Sequence, residues 1–180
     1  MKISFFTIHR SVKTGAKLRF RGFPHLEIFP KANLVIGNHV LLNSWNTGYH
    51  LSMFHPVKIL LHTTNANLKI GDNTRIHGTC IHVKSEVSIG KNCLIAANTQ
   101  IFDCNGHATA MNEPELRLVQ TDTPKEIIIE DNVWIGTACI ILPGAHIGKG
   151  SVIGAGSVVS GVIPPNSIAK GNPATVVQKK

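Results

Sequence analysis

Aliphatic side chains return along this chain every six residues. From Ile129 the sequence divides into IEDNVW, IGTACI, ILPGAH, IGKGSV and IGAGSV, followed by VSGVIP, so positions 129, 135, 141, 147, 153 and 159 are all Ile or Val. The fifth place of the first five units holds Val133, Cys139, Ala145, Ser151 and Ser157, all small or β-branched, and the second place is Gly in three of them. An earlier block, VKSEVS, IGKNCL and IAANTQ, leads to Ile101 under the same rule. Ile70 and Ile76 precede it one residue out of register, and VIGNHVL (35–41) reads as a further unit.

A helix repeats every 3.6 residues and a half-buried strand every 2, so a period of six fits neither in the required way. Strands of about five residues, each ended by a turn, point one aliphatic side chain inward from each flat face. Three such faces close a coil of about eighteen residues, and successive coils hydrogen-bond at the strand spacing of about 4.8 Å. Each coil buries its interior only against its neighbours, so stability is shared along the stack. The fold class expected is all-β: one domain over 1–180, with a lead-in at 1–33, coils over 34–163 and a cap over 164–180. Pro164, Pro165 and Pro173 are expected to help close the coil, because proline does not donate to a ladder. No stretch of ten or more residues carries a helical period.

Composition agrees. The chain is 43% hydrophobic but only 6% aromatic, with 16 Gly and 9 Pro among 180 residues, which suits many short strands and turns. Its start, MKISFFTIHR, is too short and interrupted in its apolar run for a signal peptide or a span, so a cytoplasmic protein is expected, with peripheral contact at the inner membrane face the other option. Cys80, Cys93, Cys104 and Cys139 show no CxxC pairing and are expected as free thiols. Cys80, Cys93 and Cys139 fall on fifth places, where a small apolar residue faces the interior, whereas Cys104 lies in a loop and is expected to be exposed. Net charge is +8 and uneven: Lys2, Arg10, Lys13, Lys17, Arg19, Arg21 and Lys31 stand against Glu27 alone in the first 31 residues. A solvated face, an anionic membrane surface or a phosphorylated small molecule all suit that cluster. Nucleic acid does not, since no recognition motif or aromatic-rich basic segment accompanies it.

The regular pattern stops at Phe102 and resumes after Glu126, leaving a polar excursion that opens with FDCNGH. A smooth coil offers no cleft, and loops anchored on rigid elements are the usual home of function. With IFDCNGH, the block IEDNVWIGTACIILPGAHIGKGSVIGAGSVV and the ending IPPNSIAKGNPATVV, the chain resembles the hexapeptide-repeat acyltransferases. Within that family it is most similar to the small sugar O-acetyltransferases of bacterial polysaccharide and lipopolysaccharide gene clusters. The resemblance implies a left-handed parallel β-helix, a homotrimer with active sites between subunits, acetyl-CoA as donor and a sugar or saccharide hydroxyl as acceptor, with no metal expected.

The resemblance also assigns residues. His107 matches the histidine that removes the acceptor proton while the sugar oxygen attacks the thioester directly. Neutral imidazole suits this role near pH 7, and such catalysis typically contributes about 10²–10⁴-fold. Asp103 is the candidate to fix the imidazole tautomer. Asn105 stands where many relatives carry a second acid. For the coenzyme, Thr137 and Ala155, eighteen residues apart and so on successive coils, match main-chain contacts to the pantetheine arm, and Ser160 matches a further one. Trp134 matches a tryptophan beside the thioester. Pro173 belongs to the ending that binds the adenosine phosphates. Thr175 and Gln178 replace two commonly basic residues there, leaving Lys170, Lys179 and Lys180 as the available charges. Asn43, Trp45 and Tyr49, in a second interruption, are candidate acceptor contacts.

Two rivals share the coil. His77 and His82 have the five-residue separation seen in γ-class carbonic anhydrases, which implies a zinc enzyme if a third histidine joins them. A non-catalytic scaffold needs only the repeat. N-acetylation of an amino sugar is the variant within the acyltransferase reading.

Overall fold

A computed structural model describes residues 12–179 of the chain. The strands follow one another around a three-sided prism, one strand to each face per turn. The first coil comprises β1 (Val12–Thr14), β2 (Arg19–Arg21) and β3 (His25–Ile28), and the second β4 (Asn33–Ile36), β5 (Leu41–Asn43) and β6 (Lys58–Leu61). The third holds β7 (Asn67–Ile70), β8 (Arg75–His77) and β9 (Cys80–Val83), and the fourth β10 (Glu86–Ile89), β11 (Leu94–Ile95) and β12 (Gln100–Phe102). Then come β13 (Ile127–Ile129), β14 (Trp134–Ile135) and β15 (Ile140–Ile141), and β16 (His146–Ile147), β17 (Val152–Ile153) and β18 (Val158–Val159). Strands β19 (Val162–Ile163) and β20 (Ser167–Gly171) begin a last turn, against which β21 (Ala174–Lys179) folds back antiparallel.

Face A is the seven-stranded sheet β1-β4-β7-β10-β13-β16-β19. Face B is β2-β5-β8-β11-β14-β17-β20-β21, and face C is β3-β6-β9-β12-β15-β18. All pairings but the last are parallel. This is the all-β, left-handed parallel β-helix. Its interior is a column of fully buried aliphatics in register, for example Ile76, Ile95, Ile135 and Ile153 on face B.

The hexapeptide's composition has local causes. Where face A turns into face B the backbone takes positive φ once per coil, at His39, Asn73, Asn92 and Asn132 among others. Asparagine tolerates that region because its short amide bonds locally. Here the amides also form a ladder, Asn73 Nδ2 donating to Asn92 Oδ1 and Asn92 Nδ2 to Asn132 Oδ1, each at 3.1 Å. Second-place glycine answers to close approach instead: a Cβ on Gly90 would lie 2.6 Å from the backbone N of Asp131, and one on Gly136 equally near that of Ala155.

Several boundaries move. Residues 12–31, expected within the lead-in, form a full first coil paired strand by strand with the second. Residues 167–171, expected within the cap, are still a coil strand, paired with β17, so only β21 caps. Cys93 and Cys139 point inward as expected, but Cys80 is half-exposed on face C and Thr79, fully buried, takes the interior place. Cys104 is buried rather than exposed. Two excursions leave the coil: residues 44–57 where face B turns to face C, and residues 103–126 where face C turns to face A.

Candidate functional site

The long excursion is tied at its neck. Asp103 is fully buried and its carboxylate accepts from the main-chain N–H groups of Lys84 (2.8 Å), Ser85 (2.6 Å) and Glu86 (3.0 Å). Its own carbonyl accepts from Lys125 N–H at 2.7 Å, joining the loop's two ends. This overturns the expectation that Asp103 orients His107: the carboxylate is spent on capping the neighbouring coil's corner.

A second carboxylate, Asp122, closes the next layer. Its Oδ2 accepts from Asn105 N–H (2.7 Å) and its Oδ1 from Gly106 N–H (3.1 Å) and the Cys104 thiol (2.6 Å). Burial pushes the Asp122 carboxyl upward, but these donors outweigh it and hold the group below the ordinary carboxylate range. Burial and the bond to Asp122 raise Cys104, so the thiol keeps its proton and serves as donor. Gly106, at φ +92°, turns the chain within this clamp and delivers His107 on its far side. Asn105 is exposed and contributes its backbone to the clamp.

His107 is exposed, with Nδ1 2.6 Å from the carbonyl oxygen of Arg117. That carbonyl lies at the end of the short 3₁₀ turn Pro114–Leu118, where the last carbonyls lack partners within the turn. The Arg117 guanidinium secures the turn through Nε to Thr109 O at 2.8 Å. A carbonyl only accepts, so Nδ1 carries a proton, and in the neutral imidazole the lone pair is on Nε2. The tautomer is therefore fixed by a main-chain group that no side-chain motif announces, and neither Asp122 nor Arg117 stood out in the sequence.

A different corner gathers the coenzyme candidates. Thr137 and Ala155 lie where face B turns to face C, stacked through Gly156 N–H to Thr137 O at 2.8 Å. Lys170 extends the same column beside Gly154, and Pro173 follows in the β20–β21 turn. Trp134 lies one strand back on face B, half-exposed between Leu94 and Val152. The structure does not bring the other candidates there. Ser160 is on the face C to face A corner, and Lys179 pairs with Ser167 at the far end of β20. Lys180 lies outside the described residues.

The short excursion ends beside that column. Tyr49 Oη accepts from Ala97 N–H (3.3 Å), Asn98 holds both Ser52 O and Phe54 N–H, and Thr137 Oγ1 donates to Ala97 O at 2.7 Å. The Tyr49 ring stacks on His77, centroids 4.8 Å apart. Buried Asn43 accepts from Trp45 N–H through Oδ1, so its Nδ2 faces His77 Nδ1 at 3.1 Å and that nitrogen accepts. Burial, then the nearby Arg75 and Arg21, push His77 down to about 4, so it is neutral. His82 lies on face C, its Nε2 3.2 Å from His62 Nδ1, and burial with His62 lowers it. His77 and His82 thus occupy different faces. Among the described residues no group of three or more His, Cys, Asp or Glu side chains is placed to hold a metal.

The geometry has counterparts. Residues 126–161 match the family of bacterial transferase hexapeptides (six repeats), and residues 67–102 the hexapeptide repeat of succinyl-transferase. A putative acetyltransferase of Saccharomyces cerevisiae is 44% identical over 115 residues, 63% of this chain and 57% of the relative. A galactoside O-acetyltransferase of Lactococcus lactis is 37% identical over 115 residues, 64% of this chain and 48% of its own. A hexapeptide-repeat acetyltransferase of Vibrio cholerae, solved with acetyl coenzyme A, superposes with TM-score 0.64 at 25% identity over 94% of this chain and 72% of that one. The chain spans about half the length of the curated relatives it matches. In its repeats and in its coil the chain is thus similar to the hexapeptide-repeat acyltransferases.

Proposed function

We propose that this chain transfers an acetyl group from acetyl-CoA to a hydroxyl of a sugar or saccharide, with His107 as general base. The observation that carries the reading is the bond from His107 Nδ1 to Arg117 O, which leaves Nε2 bare on an exposed imidazole. The attacking alcohol gives its proton to Nε2 as its oxygen bonds to the thioester carbonyl carbon. The tetrahedral intermediate then expels the CoA sulfur, which leaves with that proton as the free thiol. The pantetheine arm lies along Thr137 and Ala155, where small side chains leave the backbone approachable. The Tyr49–His77 stack at the head of the same column faces the acceptor. A galactoside O-acetyltransferase among the relatives and an acetyl coenzyme A complex among the similar structures support the acceptor and donor classes.

One copy does not complete this site. His107 leaves the coil at one corner of face C and the Thr137 column occupies the other, a strand's width of roughly 16 Å away at about 3.3 Å per residue. Among the described residues no hydrogen bond joins residues 105–123 to that column. A ring in which each copy sets its His107 corner against the next copy's Thr137 corner brings the two together, and repeated contacts of this kind close into cyclic assemblies. Face C then lines the axis, its outer rows mixing apolar Leu60, Phe102, Ile140 and Val158 with Lys58, His82 and Gln100. The homotrimer suits a three-sided prism.

The test is a panel of saccharides with acetyl-CoA, read as thiol release, with His107→Ala alongside. We expect turnover to fall about 10²–10⁴-fold while CoA still stabilises the variant against heat as it does the unaltered protein. A His107→Ala protein with undiminished turnover overturns the reading.

A further inference from the structure

We propose that the N-terminal end of the β-helix is a membrane-docking surface for anionic phospholipid bilayers. The first coil has no coil beyond it among the described residues, and its surface is unlike the rest of the molecule. Phe23 is 93% exposed, Phe20 46% and, one coil on, Trp45 56%. These three, with Gly22, Pro24 and Ser44, line an open cleft of about 650 Å³ whose polar side-chain groups are the Ser44 hydroxyl and the Trp45 indole N–H. Large exposed aromatics gathered at one place mark an interaction surface.

Charge chooses the partner. The same coil carries Lys13, Lys17, Arg19 and Arg21, with Lys31 in its closing turn, all exposed. Its one acid, Glu27, faces Lys58 at 3.6 Å and so is partly neutralised. The other nine acids all lie further along the chain, from Asp72 to Asp131. A carbohydrate site would place hydrogen-bonding side chains around its aromatic rings, and this cleft has almost none. Aromatics that seat at the headgroup level, ringed by cations that attract anionic lipid, fit a bilayer surface. No helix of the described residues is long and apolar enough to cross a membrane, so the contact is with the surface. Neither His107 nor the Thr137 column takes part, although Trp45, a candidate acceptor contact, lines the cleft and its main-chain N–H bonds Asn43 beside His77.

Cosedimentation of the full chain with vesicles tests it. Phosphatidylcholine vesicles containing a third phosphatidylglycerol are compared with pure phosphatidylcholine, at low and high salt. We expect binding to the anionic vesicles alone, weakened by salt within the screening range. Phe23→Ser is expected to weaken it at least about tenfold, through loss of a ring's worth of apolar burial. Lys17→Gln with Arg19→Gln is expected to weaken it about 25-fold, a factor of about five per cation. All three side chains are exposed, so the variants should melt with the parent, and thiol release on a soluble acceptor should be unchanged in them. Equal binding to neutral vesicles, or none to anionic ones, overturns the proposal. So does a change in solution mass in Phe23→Ser without lipid, which would assign the cleft to end-to-end packing of two copies.

Discussion

Replacing Asp103 separates a structural carboxylate from a catalytic one. In Asp103→Ala the main-chain N–H groups of Lys84, Ser85 and Glu86 lose their acceptor. Hydrogen bonds to charged groups are worth about 1.5–3 kcal/mol each, and they do not add fully within one cluster. Because Lys84 and Glu86 are only half-buried and Ser85 is exposed, water replaces some of what is lost, and the sum is about 3–5 kcal/mol. At about 2–4 °C per kcal/mol for a chain of this length, Tm should fall by about 6–20 °C. Asp103→Asn keeps the shape but turns an amide N–H₂ toward at least one donor, so it should lose roughly half as much. The kcat of whatever remains folded should change by less than about threefold, since His107 takes its tautomer from Arg117 O. Thermal unfolding and thiol-release kinetics on the same preparations decide the matter. An Asn variant that melts like the parent yet loses a hundredfold or more in kcat would show the carboxylate acting on the imidazole, where about 10⁴-fold is the precedent for losing such a partner.

Asp122→Ala should act differently: with Asn105 N–H, Gly106 N–H and the Cys104 thiol released, amide exchange at 105–106 should quicken and kcat should drop about tenfold with a small change in Tm, because the clamp holds His107 rather than the coil. For His77 the sign follows from its depressed value. The folded state binds the proton only near pH 4 while the unfolded chain binds it near 6.5, so this contribution is present above 6.5 and is lost as pH falls toward 4. Discounted for partial exposure, the loss is about 1–2 kcal/mol, and His77→Gln should flatten that part of the stability profile measured by urea unfolding between pH 7 and 4.5. Ala155→Trp should fill the column beside Thr137, weakening CoA at least about tenfold by calorimetry while Tm stays within a degree or two, since Ala155 is exposed.

The coil was legible because its cause is local and repeated. Every sixth side chain enters the same interior, and one such row predicts all the others. Gly90 and Asn92 recur in kind for reasons of backbone clearance and positive φ that hold at each turn. Errors fell where that repetition lapses. Cys80 follows a corner shortened by Gly78, at φ +41°, so the register advances by one and Thr79 enters the core instead. Residues 12–31 carry too few aliphatics to show a period, because the end of a stack leaves its inward side chains partly uncovered: Leu18, Leu26 and Ile28 are only half-buried. The excursion was legible as a place and His107 as its chemistry, but not the partners that orient it. Asp103 lies four residues from His107 and serves Lys84, Ser85 and Glu86, whereas the group that fixes the imidazole is a carbonyl ten residues on. Proximity in sequence predicts partnership only where the chain is regular. In a loop, the acceptor nearest in space is chosen by how the neck is tied, and here two carboxylates tie the neck so that a peptide oxygen holds the ring.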